Sequence, residues 1–222
     1  MKKNENIENK INCFINYKEK VALLNNFNNK PVFSAQSKLE PTILEEFLFH
    51  LFREISDNKV AVGGVKAYTN LYFSPKDFTS FKKKNFIKIN EKDQDFAIYK
   101  RVRLQDETEK IEIAVPIVSI ECKTYLDKTM LEGSIATAEK IKAGNPHCKF
   151  FIVTETYEVD YKVDPSTSRI DNIFVLKKGG RADRNNKIDK NVMIKLYEEI
   201  QRHLSAGWRD IEQNIKNKGS VF

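Results

Sequence analysis

Val115-Pro116-Ile117-Val118-Ser119-Ile120-Glu121-Cys122-Lys123 is the stretch on which the fold of this chain turns. Its apolar residues are nearly continuous, as in a strand covered on both faces, and it closes on two charges. Glu121 and Lys123 are two apart, so on a strand they point to the same side. A glutamate and a lysine ending a buried strand need a partner chemistry. Upstream stands Asp93-Gln94-Asp95-Phe96-Ala97-Ile98-Tyr99, a second candidate strand that can bring Asp95 beside them. Pro116 cannot donate to a ladder, which implies an edge, a bulge or two short strands.

Working outward, residues 95–104 are rich in β-formers and 105–110 form a polar connection to a long strand region over 111–125. After Lys123, Asp127 or Thr129 can cap a helix through Met130, Leu131, Ile135, Ala138 and Ile141, with Gly144 as its stop. Residues 148–154 read as a buried strand and 173–176 as another, so the region is a βαβ unit with parallel strands. A final helix is predicted over 188–204, behind a basic loop containing Gly179-Gly180.

Toward the N-terminus, Ile7, Ile11, Phe14, Ile15, Val21, Ala22 and Leu24 recur at helical steps. The Asn-rich break ending at Pro31 stops that helix and is the one plausible seam. It separates an N-terminal helical extension, 1–30, from a main domain, 31–222, with one structural domain expected overall. Ser37 to Glu40 has the spacing of a capping box, and so does Thr42 to Glu45. Either opens a helix to about Ile55 with Leu44, Phe47, Leu48, Leu51 and Phe52 on one face. An advance of about 100° per residue puts Glu40 near the middle of that face, Glu45 at its edge and Glu46 opposite. An inward carboxylate is costly unless satisfied. Glu40 is therefore either the cap partner of Ser37 or a fourth acid of the site, with Glu45 as the alternative. Gly63-Gly64 reads as a turn before a short strand or irregular aromatic segment over 68–73. The run Lys82-Lys83-Lys84 lies near Tyr72, Phe73, Phe78 and Phe81; it is either a solvated loop or a contact for a phosphate backbone.

Composition narrows the class. Hydrophobic residues make up 41% and charged residues 31%, a globular balance, and no apolar run approaches the roughly 20 residues that span a bilayer. No apolar leader with a small-residue cleavage site follows Met1, so a cytoplasmic protein is expected. Three widely spaced cysteines suggest neither a disulfide framework nor a zinc site. The net charge of +7 favours a polyanionic partner. His50, His147 and His203 share no ligand spacing, and Ser119 and Cys122 lack an adjacent His, which argues against nucleophilic catalysis. Gly179-Gly180 is too short for a phosphate loop, and Trp208 reads as a packing residue.

Helix with a glutamate, strands with Asp95 and then Glu121-Cys122-Lys123, a helix and further strands: this order resembles the PD-(D/E)xK nuclease superfamily. Gln94-Asp95 stands where the superfamily writes Pro-Asp, and the missing proline keeps Asp93 open as the first acid. The stretches 37–47 and 115–132 resemble type II restriction endonucleases of the Bpu type. The resemblance covers roughly residues 37–178. It implies an αβββαβ core, a mixed central sheet flanked by helices in an α/β fold, and cleavage of short duplex sites containing CTNAG.

Such chemistry suits these residue types. In-line attack on a phosphodiester meets a centre shielded by negative charge, so an oxygen-liganded cation is the largest available help. Mg²⁺ suits the Asp95 and Glu121 carboxylates, with the Cys122 carbonyl between them as the resemblance implies. Lys123 can position or deprotonate the attacking water; burial and metal lower its pKa while the carboxylates raise it. Lys177, Lys178, Arg181, Arg184 and Lys187 are candidates for reading bases, since Arg and Lys address guanine edges. The expected activity is Mg²⁺-dependent cleavage of double-stranded DNA at a short specific site. A dimer, homo- or heterodimeric, is expected because two strands need two active sites. The alternatives are a structure-specific or repair nuclease on the same core, and a non-catalytic DNA-binding or assembly subunit of a heterodimer.

Overall fold

The organising stretch lies in the middle strand of a five-stranded mixed sheet. A computed structural model gives the structure and describes residues 2–27, 35–56, 59–83, 87–105, 110–179, 186–206, 208 and 211–219. Chain order is α1 (Lys2–Phe27), α2 (Ala35–Phe52), β1 (Ala61–Phe73), the one-turn α3 (Phe78–Phe81), β2 (Ile87–Gln105), β3 (Lys110–Leu126), α4 (Lys128–Gly144), β4 (Lys149–Tyr157), β5 (Asn172–Val175), α5 (Lys190–Ser205) and α6 (Ile211–Lys218). The strands pair in sequence order: β1–β2 and β2–β3 antiparallel, β3–β4 and β4–β5 parallel. Parallel neighbours need a crossover, and α4 supplies it between β3 and β4. From α2 to β4 the order is the expected αβββαβ, with β5 extending the sheet.

Strand alternation divides the core between the two faces of the sheet. Val118, Ile120 and Cys122 of β3, with Phe151 and Val153 of β4, meet α1, α2 and α5 through Ile11, Phe14, Leu48, Phe52, Leu196 and Ile200. Phe150 and Ile152 of β4 turn the other way and meet Leu131, Ala138 and Ile141 of α4. The apolar run is thus covered on both sides. α4 begins where Asp127 accepts from the Met130 amide at 2.8 Å, satisfying an orphan helix donor. α1 is packed into the core: Phe14 stacks on Phe47 with ring centroids 4.3 Å apart.

Two expectations change. α2 starts at Ala35, ahead of both capping boxes, so neither Ser37 nor Thr42 stands at a helix N-terminus. Gly63-Gly64 is not a turn: both residues lie inside β1, where Val65 pairs with Gln94 and Gly63 with Ala97. Two residues of β2, Asp95 and Phe96, therefore oppose the single Gly64, which is a β-bulge. Gly63 has φ +128°, a backbone conformation that favours glycine. Pro116 takes the bulge option: β2 partners step from Val118 to Pro116 as β2 advances one residue, leaving Ile117 extra. Pairing with β4 begins only at Val118, so the proline interrupts no β4 bond. α6 was not foreseen.

Candidate active site

At the C-terminal end of β3, Glu121 and Lys123 point the same way, as their spacing requires, and Asp95 reaches them from the β2 bulge. Lys123 Nζ lies 3.3 Å from Glu121 Oε2 and 3.7 Å from Asp95 Oδ2. The β2–β3 ladder stops at Phe96 and Ile120, one residue short of the acid. Asp95 is instead tied to β3 by the Cys122 amide, which donates to Oδ2 at 2.8 Å. Glu121 is held from the opposite element: Ser134 of α4, fully buried, donates to its Oε2 at 2.7 Å. Exposure falls from 36% for the Asp95 side chain to 27% for Lys123 and 13% for Glu121, so the site opens to solvent on the Asp95 side.

The electrostatics follow from these distances. Burial works to lower the Lys123 pKa, but the Glu121 and Asp95 carboxylates outweigh it and hold the ammonium above its ordinary range. Lys123 is therefore a cation at neutral pH, set between two carboxyl groups. The Cys122 thiol, fully buried and facing carboxylates, is pushed well above the ordinary thiol range and is no thiolate ligand. Glu45 of α2 is also part of this field. Burial raises its pKa first, Asp95 raises it further and Lys123 opposes. Glu40 belongs to α2, but its side chain lies outside the described residues. Asp93 is exposed, while the neighbouring Gln94 is buried at 4% exposure.

The Bpu10I restriction endonuclease family matches residues 36–195, a span that holds Asp95, Glu121, Lys123 and Glu45. The chain belongs to the Bpu10I restriction endonuclease family. A solved structure described as the native BbvCI A2B2 tetramer at low resolution shares the fold, with a TM-score of 0.57 at 23% identity over 65% of this chain. This chain spans 59% of the length of that one. The comparison with curated proteins finds no match.

The other residues singled out in this Bpu10I-family chain fall into several places. Lys82 and Lys83 are exposed after α3, and Lys82 lies 4.5 Å from the centroid of the Phe78 ring. Phe73, Phe78 and Phe81 beside them are 60%, 71% and 52% exposed, an aromatic surface interleaved with positive charge. Lys84, Arg181 and Arg184 lie outside the described residues. Lys177 is bound at 3.0 Å to Glu155, a buried residue of β4 that also pairs with Lys18 of α1. Lys178 pairs with Asp189, the cap of α5, and Lys187 with Glu19 at 3.2 Å. His147 and His203, far apart in sequence, both stack on Trp208, with centroids 5.7 and 5.6 Å away. The sequence reading missed Ser134 and Glu155. Ser134 was signalled by position, since it lies in the stripe Leu131, Ser134, Ala138, Ile141, where a hydroxyl among apolar residues needs an acceptor. Among the described residues no helix is long and apolar enough to cross a membrane.

Proposed function

We propose that this chain hydrolyses phosphodiester bonds of double-stranded DNA at a short specific site, possessing the site of a type II restriction endonuclease that depends on Mg²⁺. The observation that carries it is the placement of Lys123 Nζ between Glu121 and Asp95, at the end of a strand covered on both faces. The donor set suits a hard, oxygen-liganded cation. Asp95 and Glu121 offer carboxylates, and Cys122 turns its amide toward Asp95; within a strand the carbonyl of one residue points to the same side as its amide. Among the described residues no three His, Cys, Asp or Glu side chains gather into a metal-holding group. Two carboxylates and a carbonyl, with the remaining positions left to water and a phosphate oxygen, match the habit of Mg²⁺.

When bound, the ion would supply neutralisation of the charge that builds on the phosphate in the transition state. The chain's own groups do the rest. Lys123, kept cationic by its two neighbours, orients the attacking water and faces the phosphate oxygens. Ser134 fixes the Glu121 carboxylate, and the Cys122 amide fixes that of Asp95. Glu45 adds a further acid at the rim. The exposed Lys82 and Lys83, among aromatic rings, lie along the DNA backbone as sequence-independent charges. Two subunits, either two copies of this chain or this chain with a second one, assemble so that each strand of the duplex meets a site, and the protein works in the cytoplasm.

Digestion of a sequenced plasmid with the purified chain, with and without Mg²⁺, tests this. Discrete fragments with mapped ends, formed only with the metal, are expected. A smear would move the chain to structure-specific nucleases. Intact plasmid under both conditions would overturn the reading in favour of a non-catalytic subunit.

A further inference from the structure

We propose that Gln94 and Ser119 form a buried cross-strand clamp that positions Asp95 for the metal, an inference that rests on the nuclease reading above. The reason begins with the bulge. Because Asp95 and Phe96 together oppose Gly64, the alternation of β2 is reset by one residue. Gln94 consequently shares a face with Ala97, and Ala97 pairs with Ser119 of β3. The Gln94 side chain reaches along that face and its Oε1 accepts from the Ser119 hydroxyl.

The other end of the carboxamide is also engaged. Gln94 Nε2 donates to the Asp93 carbonyl at 2.7 Å and to the Lys92 carbonyl at 3.5 Å. One side chain thus holds the backbone just before Asp95 and joins it to the residue two places before Glu121. Both partners are buried, Ser119 completely, so these bonds are not shared with bulk water. The position matters because β2 has no ladder bond to β3 beyond Phe96. The β1 ladder holds Gln94 and Asp93 from the outer edge, but across the β2–β3 seam the Cys122 amide is the other bond that sets Asp95 against Glu121 and Lys123. Gln94 and Ser119 touch neither substrate nor ion; they are positioning residues. Gly64 lies close against the same bend: a Cβ there would stand 3.4 Å from the Asp95 carbonyl oxygen, in van der Waals contact.

The test compares wild type with Ser119→Ala, Gln94→Leu and Ser119→Thr in Mn²⁺ binding followed by electron paramagnetic resonance without DNA, in circular dichroism, and in plasmid cleavage across metal concentrations. Ser119→Ala and Gln94→Leu are expected to bind Mn²⁺ about tenfold or more weakly and to need correspondingly more metal for cleavage. Their circular dichroism stays that of the wild type, and Ser119→Thr, which keeps the donor, recovers affinity. Wild-type Mn²⁺ affinity in both deletion variants would overturn the clamp. If Gln94→Leu fails to fold, Ser119→Ala, which removes one oxygen, decides alone. A wild-type chain that binds Mn²⁺ but cuts no DNA would overturn the nuclease reading and leave the clamp to be judged by the affinities.

Discussion

The Cys122 amide donates to Asp95 Oδ2 at 2.8 Å, so the strand carrying Glu121 and Lys123 holds the acid of its neighbour with its own backbone. A backbone donor fixes the carboxylate without side-chain entropy, and no substitution at Cys122 other than proline removes it. The three polar side chains are thereby set by the β2 bulge and the end of β3.

Lys123→Ala should reduce cleavage by at least about a hundredfold, the usual loss when a positioned proton-transfer or charge-stabilising group is removed. Binding of duplex DNA should persist, because backbone lysines such as Lys82 and Lys83 remain. Single-turnover cleavage and an electrophoretic mobility shift in parallel check both halves; unchanged cutting would remove Lys123 from the site.

Glu45→Gln should lower cleavage more than Glu40→Gln and, at the same time, raise thermal stability at neutral pH. Glu45 lies in the field of Asp95 and Lys123, whereas Glu40 stands five residues, about 140°, around the helix from it. The stability half follows from linkage. The folded-state pKa of Glu45 is raised by burial and by Asp95, so its ionisation weighs against the fold. That burden is present above the folded pKa and disappears as pH falls below the ordinary value of 4.5. The melting temperatures of the variant and wild type should therefore differ at pH 7 and converge in acid, which paired thermal scans would show.

Asp95, Glu121 and Lys123 were legible in the sequence because strand periodicity is two and the apolar run announced burial on both faces. The choice between Glu40 and Glu45 is not decided by helical phase, which identifies the centre of an apolar face but not which carboxylate a partly open site draws on; Glu45 shares the field of Asp95 and Lys123, and the Glu40 side chain lies outside the described residues. Gly63-Gly64 misled for a related reason: glycine permits both turns and bulges, and only the pairing of Gly63 with Ala97 and Val65 with Gln94 distinguishes them. Pro116 left its three outcomes open until the register was known. Ser119 and Ser134 carried weak signals, since a serine within an apolar stretch shows that an acceptor is needed but not which one. The basic loop behaved differently again. Lys177 looked available for bases, yet β4 continues through Glu155, and that buried carboxylate claims it.

Asp171→Asn should destabilise the fold by about 1–3 kcal/mol at neutral pH, the range for losing hydrogen bonds to a charged group, here half-buried. Asp171 binds Lys142 Nζ at 2.5 Å, Lys149 Nζ at 2.8 Å and the Phe150 amide at 2.7 Å. Burial pushes its pKa up, but the bonds from Lys142, Lys149 and Phe150 outweigh burial and leave it below the ordinary value. A depressed carboxylate contributes stability that is present above the unfolded value, 3.8, and is lost as pH falls through the folded one. Urea unfolding of variant and wild type should thus diverge at pH 7 and approach each other below 3.8. A gap independent of pH would mean the side chain acts by packing alone.

Two glycines of α4 should respond to alanine with opposite signs. At Gly133 an added Cβ meets nothing within 4 Å, so the gain in helix propensity stands alone and Gly133→Ala should stabilise by about 0.5–1 kcal/mol. At Gly144 the same atom would lie 2.2 Å from the Thr69 carbonyl oxygen and 2.8 Å from its carbon. Those neighbours are backbone of β1, not the end of a flexible side chain, so relief requires moving the helix terminus away from the strand. Overpacking of this kind costs about 1–3 kcal/mol or more, which exceeds the propensity gain of about 1 kcal/mol at best. Chemical denaturation of the two variants should give midpoints on opposite sides of wild type. Equal midpoints for Gly144→Ala and wild type would show that α4 and β1 do not approach as closely as Thr69 and Gly144 require.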